Sequence, residues 1–420
     1  MSLLQRTIFT GFSPNSTGTH VKIALSYLFL PWKWFSLRKG EALEETKQKI
    51  LDYFSTPHAV LFDSGRSALF FALKALGVGE GDRVLVQAYT CVVVINAIRW
   101  VGAEPVFVDI RDDYTMDPND LKQKINQKAK TLIIQHTFGQ PAALDALCMI
   151  AKEHRLSIIE DCAHSFGVSY RGQYTGTFGD VGLFSFGSDK SMSCVRGGAV
   201  IVRDAALAKK LEEMERGLRP SSWVKIIQHL IHVPVFFVGK ATYGFFGFGK
   251  ALLFLAKFFH MTNRIMYKPE KRGKPVPFYP RQFPNALADL LKGELNTINT
   301  VNEKRKKISF IYRAKICNSS VQHPVDDVSF VPLRYTVRTK NPERLRAFAK
   351  TYSIILGDWY SQVIAPQTCD LSTFGYTQGE CPLAERIAEE SVNLPTERHM
   401  TEKDIARVVE MMNAYTDHPV

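Results

Sequence analysis

AVLFD (59–63), RVLVQAY (83–89), PVFVDI (105–110), TLIIQHTF (131–138) and LSIIEDC (156–162) are short runs, apolar along most of their length. Stretches of helical character separate them: Ser67 to Leu76, Val92 to Val101, Pro118 to Ala129 and Ala142 to His154. Apolar runs of this kind suit strands buried on both faces, and strand–helix alternation makes successive strands parallel. The expected fold class is therefore α/β, a mainly parallel sheet covered by helices. A chain of 420 residues has room for a second, smaller unit. A helix is expected from about Asn285 to Arg313, with Leu287, Leu290, Leu291, Leu295 and Ile298 on one face. Beyond it, the strand-like SFVPLRYTVRT (329–339) and helices near 342–352, 382–392 and 401–415 predict a C-terminal α+β module.

In such sheets, active-site groups collect at the carboxyl ends of the strands. That rule singles out Asp63–Ser67, Tyr89–Cys91, His136–Gln140 and Asp161–His164. A further segment, GLFSFGSDKSMSCVRGGAV (182–200), delivers its one lysine, Lys190, from a strand-like run into a Gly/Ser-rich turn. A lysine so placed suits a carbonyl-binding amine, the chemistry of pyridoxal phosphate (PLP). Asp161 ends an apolar strand, where it can pair with a protonated ring nitrogen; a strand-end aspartate also caps turns. His164 can stack on or hydrogen-bond the same ring. Asp63-Ser64-Gly65-Arg66-Ser67 opens a helix. Ser64 can cap it, Gly65 lets backbone approach an anion, and free N–H groups favour a phosphate. Ser185 is a second phosphate candidate. A phosphate cup, a ring-nitrogen partner and a reactive amine are what this one cofactor requires.

Other features exclude alternatives. The seven cysteines include no CxxC pair, so neither a zinc knuckle nor a redox couple is indicated, and a reducing cytosol is the expected compartment. No metal site is expected. Residues 1–20 lack the apolar core of a signal peptide, and Ile23 to Phe35 is too short and interrupted for a membrane span. Gly77 to Asp82 resembles a glycine fingerprint but follows a helix and precedes a strand, the reverse of the dinucleotide context. Lys304-Arg305-Lys306-Lys307 reads as a solvated helix face rather than a nucleic-acid contact. The net charge of +12 is concentrated: residues 219–280 carry ten basic residues and one acid, Glu270. This Phe-, Gly- and Lys-rich stretch looks like an insertion. Its apolar run Ile226 to Gly239 is short of the ~20 residues of a span. Two readings stand for 222–263: peripheral contact with the inner face of the membrane, or a lid or subunit-contact element.

The segments SGRSALFFALKALGVGEGDRVLVQAYT, EPVFVDI, IIEDCAHSFG, GDVGLFSFGSDKSMSCVRGGAV and NLPTERHMTEKDI together resemble the DegT/DnrJ/EryC1/StrS group of PLP-dependent sugar aminotransferases. The resemblance implies fold type I, with a seven-stranded-type sheet. It divides the chain into an N-terminal arm and first helix (1–50), a large PLP-binding domain (51–284) and an interdomain helix with a small domain (285–420). Lys190 would carry the cofactor and shuttle the proton, and Asp161 would pair with the ring nitrogen. Arg66 and Ser67, through backbone amides, and Ser185 would hold the phosphate. His164 stands where the family has Gln or His near the ring. A homodimer with its sites at the subunit interface is implied, moving an amino group from an amino acid, glutamate by resemblance, to a nucleotide-linked keto-sugar. Two positions depart from the pattern. The family's stacking aromatic is replaced by Cys91, so either a smaller contact serves or Tyr89 takes the role. The asparagine that reaches the partner's phosphate is absent, with Arg281 as the candidate substitute. Alternatives are a PLP-dependent sugar dehydratase, in which histidine replaces the lysine, or a non-catalytic binding protein.

Overall fold

The computed structural model describes residues 6–11, 16–325 and 330–417. Among them, seven strands form the central sheet: β1 His58–Phe62, β2 Arg83–Gln87, β3 Glu104–Val108, β4 Ala129–Gln135, β5 Ser157–Asp161, β6 Val181–Ser185 and β7 Gly198–Val202. Their spatial order is β1-β7-β6-β5-β4-β2-β3. Neighbours from β6 to β3 are parallel. Only β7 runs against its neighbours, β6 and β1. The five apolar runs read from sequence coincide with the first five strands, each within a few residues.

The strands are apolar along their length because both sheet faces are covered. On β1, Val60 and Phe62 enter one core while Ala59 and Leu61 enter the opposite one. The helices are α1 Gly18–Phe29, α2 Glu41–Phe54, α3 Gly65–Ala75, α4 Val92–Trp100, α5 Pro118–Lys124, α6 Leu144–Glu153, α7 Ala205–Arg216, α8 Trp223–Ala241, α9 Phe248–Phe258, α10 Asn285–Leu295, α11 Ile298–Lys315, α12 Pro342–Thr351, α13 Pro382–Glu390 and α14 Glu402–Ala414. Helices α3, α4 and α7 bury their apolar sides on one face. The other face is shared by α5 and α6 at one end and by α1, α2 and α10 at the other.

The single helix expected over 285–313 is two helices. The break falls at Asn296–Thr297, where both the amide and the hydroxyl of Thr297 donate to the Glu294 carbonyl. A side chain that competes for helix carbonyls disfavours continuation. The strand expected over 329–339 is also shorter. It is β8 Tyr335–Arg338, antiparallel to β9 Ser391–Leu394. Pro332 brings no amide, and the flanking Val331 and Leu333 N–H groups donate to Gly139 and Phe138 carbonyls of the large sheet's loop. Ser329 lies outside the described residues. A separate core gathers β8, β9, α12 and α14 with Ile308 and Tyr312 of α11. Ile8–Phe9 joins this part as a short strand beside Ile354–Ile355.

Within 219–280 the chain forms a hairpin of α8 and α9. The hydroxyl of Ser222 caps α8 by accepting the Lys225 N–H. Gly249 permits the close return: a Cβ there would lie 2.2 Å from the Gly239 carbonyl oxygen. The apolar run read from sequence is thus part of a longer helix, of 19 residues. Its inner face, with Ile226, Leu230 and Val233, packs into the same core as Ala24 and Tyr27 of α1.

The basic run 304–307 is not uniformly solvated. Arg305 is fully buried, and its Nη2 donates to the Ser191 carbonyl at 3.2 Å, one residue after Lys190. Burial lowers its guanidinium pKa to about 10.

Candidate active site

At the carboxyl ends of β1, β5 and β6 the chain leaves a cleft. Ser64, Gly65 and Arg66, Cys91, Asp161, His164, Ser185 and Lys190 all line it. Seven of the residues named from sequence, Gly65, Arg66, Cys91, Asp161, His164, Ser185 and Lys190, are therefore brought together.

The cup is built by the turn from β1 into α3. Ser64 caps α3, accepting the Ser67 N–H at 3.3 Å. Gly65 is required by packing: a Cβ there would sit 2.7 Å from Ser185 Cβ. Gly198, at the start of β7, presses on the same turn, since its Cβ would meet Gly65 N at 2.6 Å. The helix start and Ser185 thus converge with no side chain between them, the arrangement a phosphate needs. Ser67 departs from expectation. It is not on the cleft wall; its hydroxyl donates to Asp63 Oδ1 at 2.6 Å beneath the turn. Its amide is already used by the Ser64 cap. The Arg66 side chain turns away from the cup and pairs with buried Glu270, Tyr279 Oη and the Ile265 carbonyl.

Lys190 lies in a tight turn, its amide donating to Gly187 O at 3.1 Å. Its Nζ is 3.1 Å from His164 Nε2 and 3.4 Å from Asp189 Oδ2. His164 is stacked on Phe138, with ring centroids 5.6 Å apart, and its Nδ1 accepts the Phe138 N–H. Burial, then the charges of Lys190 and Arg334, push its pKa well below the usual value, so the ring is neutral. Asp161 ends β5 with Oδ1 accepting the Ala163 N–H at 3.0 Å. Burial pushes its carboxyl up, against the pull of that hydrogen bond, Lys190 and His136. A cation placed beside it would favour its ionised form.

Of the two readings for the stacking contact, the one that used Tyr89 fails here. Tyr89 does not reach the cleft: its ring is fully buried, its hydroxyl bonds to Ser391 Oγ at 2.8 Å, and it accepts the Tyr360 N–H. Within its own chain the Arg281 side chain folds back onto the Pro280 and Pro277 carbonyls; the phosphate contact expected of it belongs to the partner's site.

Sequence reasoning missed Trp359, Tyr360 and Arg196, all on the cleft wall. The Trp359 ring lies 5.3 Å from Lys190 Nζ, and Arg334 sits over it at 4.6 Å. Asn393 on β9 clamps its backbone, accepting the Trp359 N–H and donating to its carbonyl. Arg196 is buried, and its Nη2 meets no hydrogen-bond acceptor among the described residues.

The DegT/DnrJ/EryC1/StrS aminotransferase family profile matches residues 29–231 and 278–413. The chain belongs to this family. As a family member it is a PLP-dependent aminotransferase. GDP-perosamine synthase of Escherichia coli O157:H7 is 38% identical over 197 residues, covering 47% of this chain and 53% of that protein. The chain thus spans about half the length of that relative. A pleiotropic regulatory protein of Geobacillus stearothermophilus is 27% identical over 90% of each chain. Among solved structures, S. venezuelae DesV has a TM-score of 0.75 at 24% identity, covering 99% of this chain and 100% of its own. That likeness extends the shared fold to the whole molecule.

The aminotransferase's cleft fits its cofactor. A glycine-walled cup at a helix start suits a phosphate, a buried carboxylate suits a protonated ring nitrogen, and the unmatched guanidinium nitrogen of Arg196 is a donor awaiting an anion.

Proposed function

We propose that this aminotransferase transfers the amino group of glutamate to the carbonyl carbon of a nucleotide-linked keto-sugar, acting as a homodimer in aminosugar or surface-polysaccharide synthesis. The observation that carries the site assignment is the convergence of Lys190, Asp161 and the Gly65–Ser185 cup on one cleft. The name of the GDP-perosamine relative supports the substrate class.

Bound PLP supplies an electron sink that makes cleavage of the bond between hydrogen and the amine-bearing carbon accessible. Gly65 and Arg66 amides and the Ser185 hydroxyl hold the phosphate, and Asp161 holds the ring nitrogen protonated. Lys190 Nζ takes the proton from the donor's α-carbon and, in the second half-reaction, gives a proton to the sugar carbon that receives the nitrogen. Neutral His164, 3.1 Å from that amine, orients it without adding a competing charge. The presence of Lys190 counts against the dehydratase reading, which has histidine at this position.

The test is the purified protein loaded with PLP. Glutamate should bleach its visible band and release 2-oxoglutarate, and a keto-sugar nucleotide should restore the band. Lys190→Ala should do neither. A PLP-loaded, folded protein that is inert to amino acids would sink the proposal.

A further inference from the structure

The family profile skips residues 232–277, which hold most of α8 and all of α9. That segment carries a large part of the molecule's exposed apolar surface. Phe246 is 73% exposed, Phe254 and Phe258 are each 66%, and Phe259 is 65%. The outer face of α8 adds Val224, Ile227, Phe237 and Val238. The surface continues past the start of α8. Exposed Trp223 shares a shallow cleft with Trp34, Phe35 and Arg38, and Phe35 is 91% exposed. Monomeric soluble proteins rarely leave so much aromatic surface open without a partner.

Charge distinguishes among partners. The one acid in 219–280, Glu270, is buried and paired with Arg66. Lys250, Lys257 and Lys268 are exposed among the aromatic residues. A second copy seated face to face on this surface would bring like charges together. An anionic bilayer meets both demands, with phenylalanine and tryptophan at the headgroup level and lysines on lipid phosphates. Helix α8 has the length and composition of a membrane span. However, its inner face is committed to the protein core, so it lies on a membrane rather than crossing one.

We propose that the α8–α9 hairpin, extended by the 32–36 turn and Trp223, docks this enzyme on an anionic membrane surface. The hairpin also borders the substrate entrance. A broad channel lined by Phe236, Leu253, Phe254 and Lys257 shares Cys91, Ser188 and Trp359 with the cofactor cleft. Docking therefore brings the mouth of the active site to the bilayer. The inference is independent of which sugar is aminated.

The test is flotation of the full-length, PLP-loaded protein with phosphatidylcholine vesicles, with and without phosphatidylglycerol. Association should require the anionic lipid and fall as salt rises. Phe258→Asp and Phe259→Asp should each weaken it at least about tenfold, from the lost burial of one phenyl side chain, and Lys250→Glu/Lys257→Glu should also weaken it. The visible PLP band reports that each variant is folded. Failure of the PLP-loaded protein to float with anionic vesicles would overturn the proposal. So would light scattering in which Phe258→Asp splits a dimer while vesicle binding is unchanged, which would assign the surface to a second copy.

Discussion

Lys190 is held from three sides: its own turn closes on Gly187, His164 faces its amine, and the Trp359 ring lies alongside. Replacing it with alanine should lower transamination by about 10²–10⁴-fold, the range for loss of a positioned acid–base group. Asp161→Asn should cost about 10²–10³-fold in kcat by removing the charge that holds the ring nitrogen protonated. Both are read by stopped-flow kinetics of the glutamate half-reaction, with circular dichroism as the control for folding. Gly65→Ala acts differently. Its methyl would collide with Ser185, so cofactor retention should fall while secondary structure by circular dichroism is kept. Equilibrium dialysis against PLP measures this, and unchanged retention would remove the cup from that turn. Gly65 and Asp161 were legible because strand ends in a parallel sheet mark their own positions, and Ser185 and Lys190 because a Gly/Ser-rich turn follows an apolar strand-like run. Trp359 and Tyr360 were not, because they enter from a loop that no periodicity connects to the sheet. Tyr89, one of the two alternatives for the stacking contact, also follows a strand end, yet its ring enters the core instead of the cleft. Its neighbour in space, Tyr360, was invisible from the sequence, and it is Tyr360 that Tyr89 supports.

Among elements, the hairpin is fastened to the catalytic domain by an ion pair. Arg66 sits at the start of α3, and Glu270 follows α9, fully buried. Glu270→Ala strands that guanidinium in a low-dielectric setting, a loss of about 3–5 kcal/mol for removing one partner of a buried pair. Urea denaturation should detect it, and an Arg66→Met/Glu270→Met double variant should recover part of the loss. A second prediction concerns acid. Burial alone lowers His232 on α8 from the usual 6.5 to about 3. The unfolded chain then binds more protons than the folded one between these values. The contribution to stability is full above pH 6.5 and is lost as pH falls toward 3. Melting curves at pH 7 and pH 5 should therefore differ, and His232→Gln should narrow the gap. The existence of a Phe- and Lys-rich insertion was plain in the sequence. Its helical hairpin shape was not, because an apolar run without alternating polar positions does not reveal which face is covered.

Across the whole molecule, the cofactor cleft has walls from both halves of the chain. The C-terminal part supplies Trp359 and clamps it through Asn393 of β9, so the site is complete only when that part is in place. The α/β class and most strand positions could be read from composition and spacing. The packing of the C-terminal part against the sheet could not, because it depends on contacts such as Leu333 to Phe138 that link distant stretches. The antiparallel strand β7 has a further consequence. Within the central sheet β1 is paired to β7 alone, although many strands and helices separate the two in sequence. During synthesis β1 and the turn that follows it emerge early and wait. Gly198, which presses that turn into shape, leaves the ribosome only after β2 to β6 have been made. A nascent chain halted before β7 has an open sheet edge and an unformed phosphate cup. Capture of PLP is thus a late event in the life of the chain, and the cofactor can stabilise the finished sheet but cannot guide its assembly.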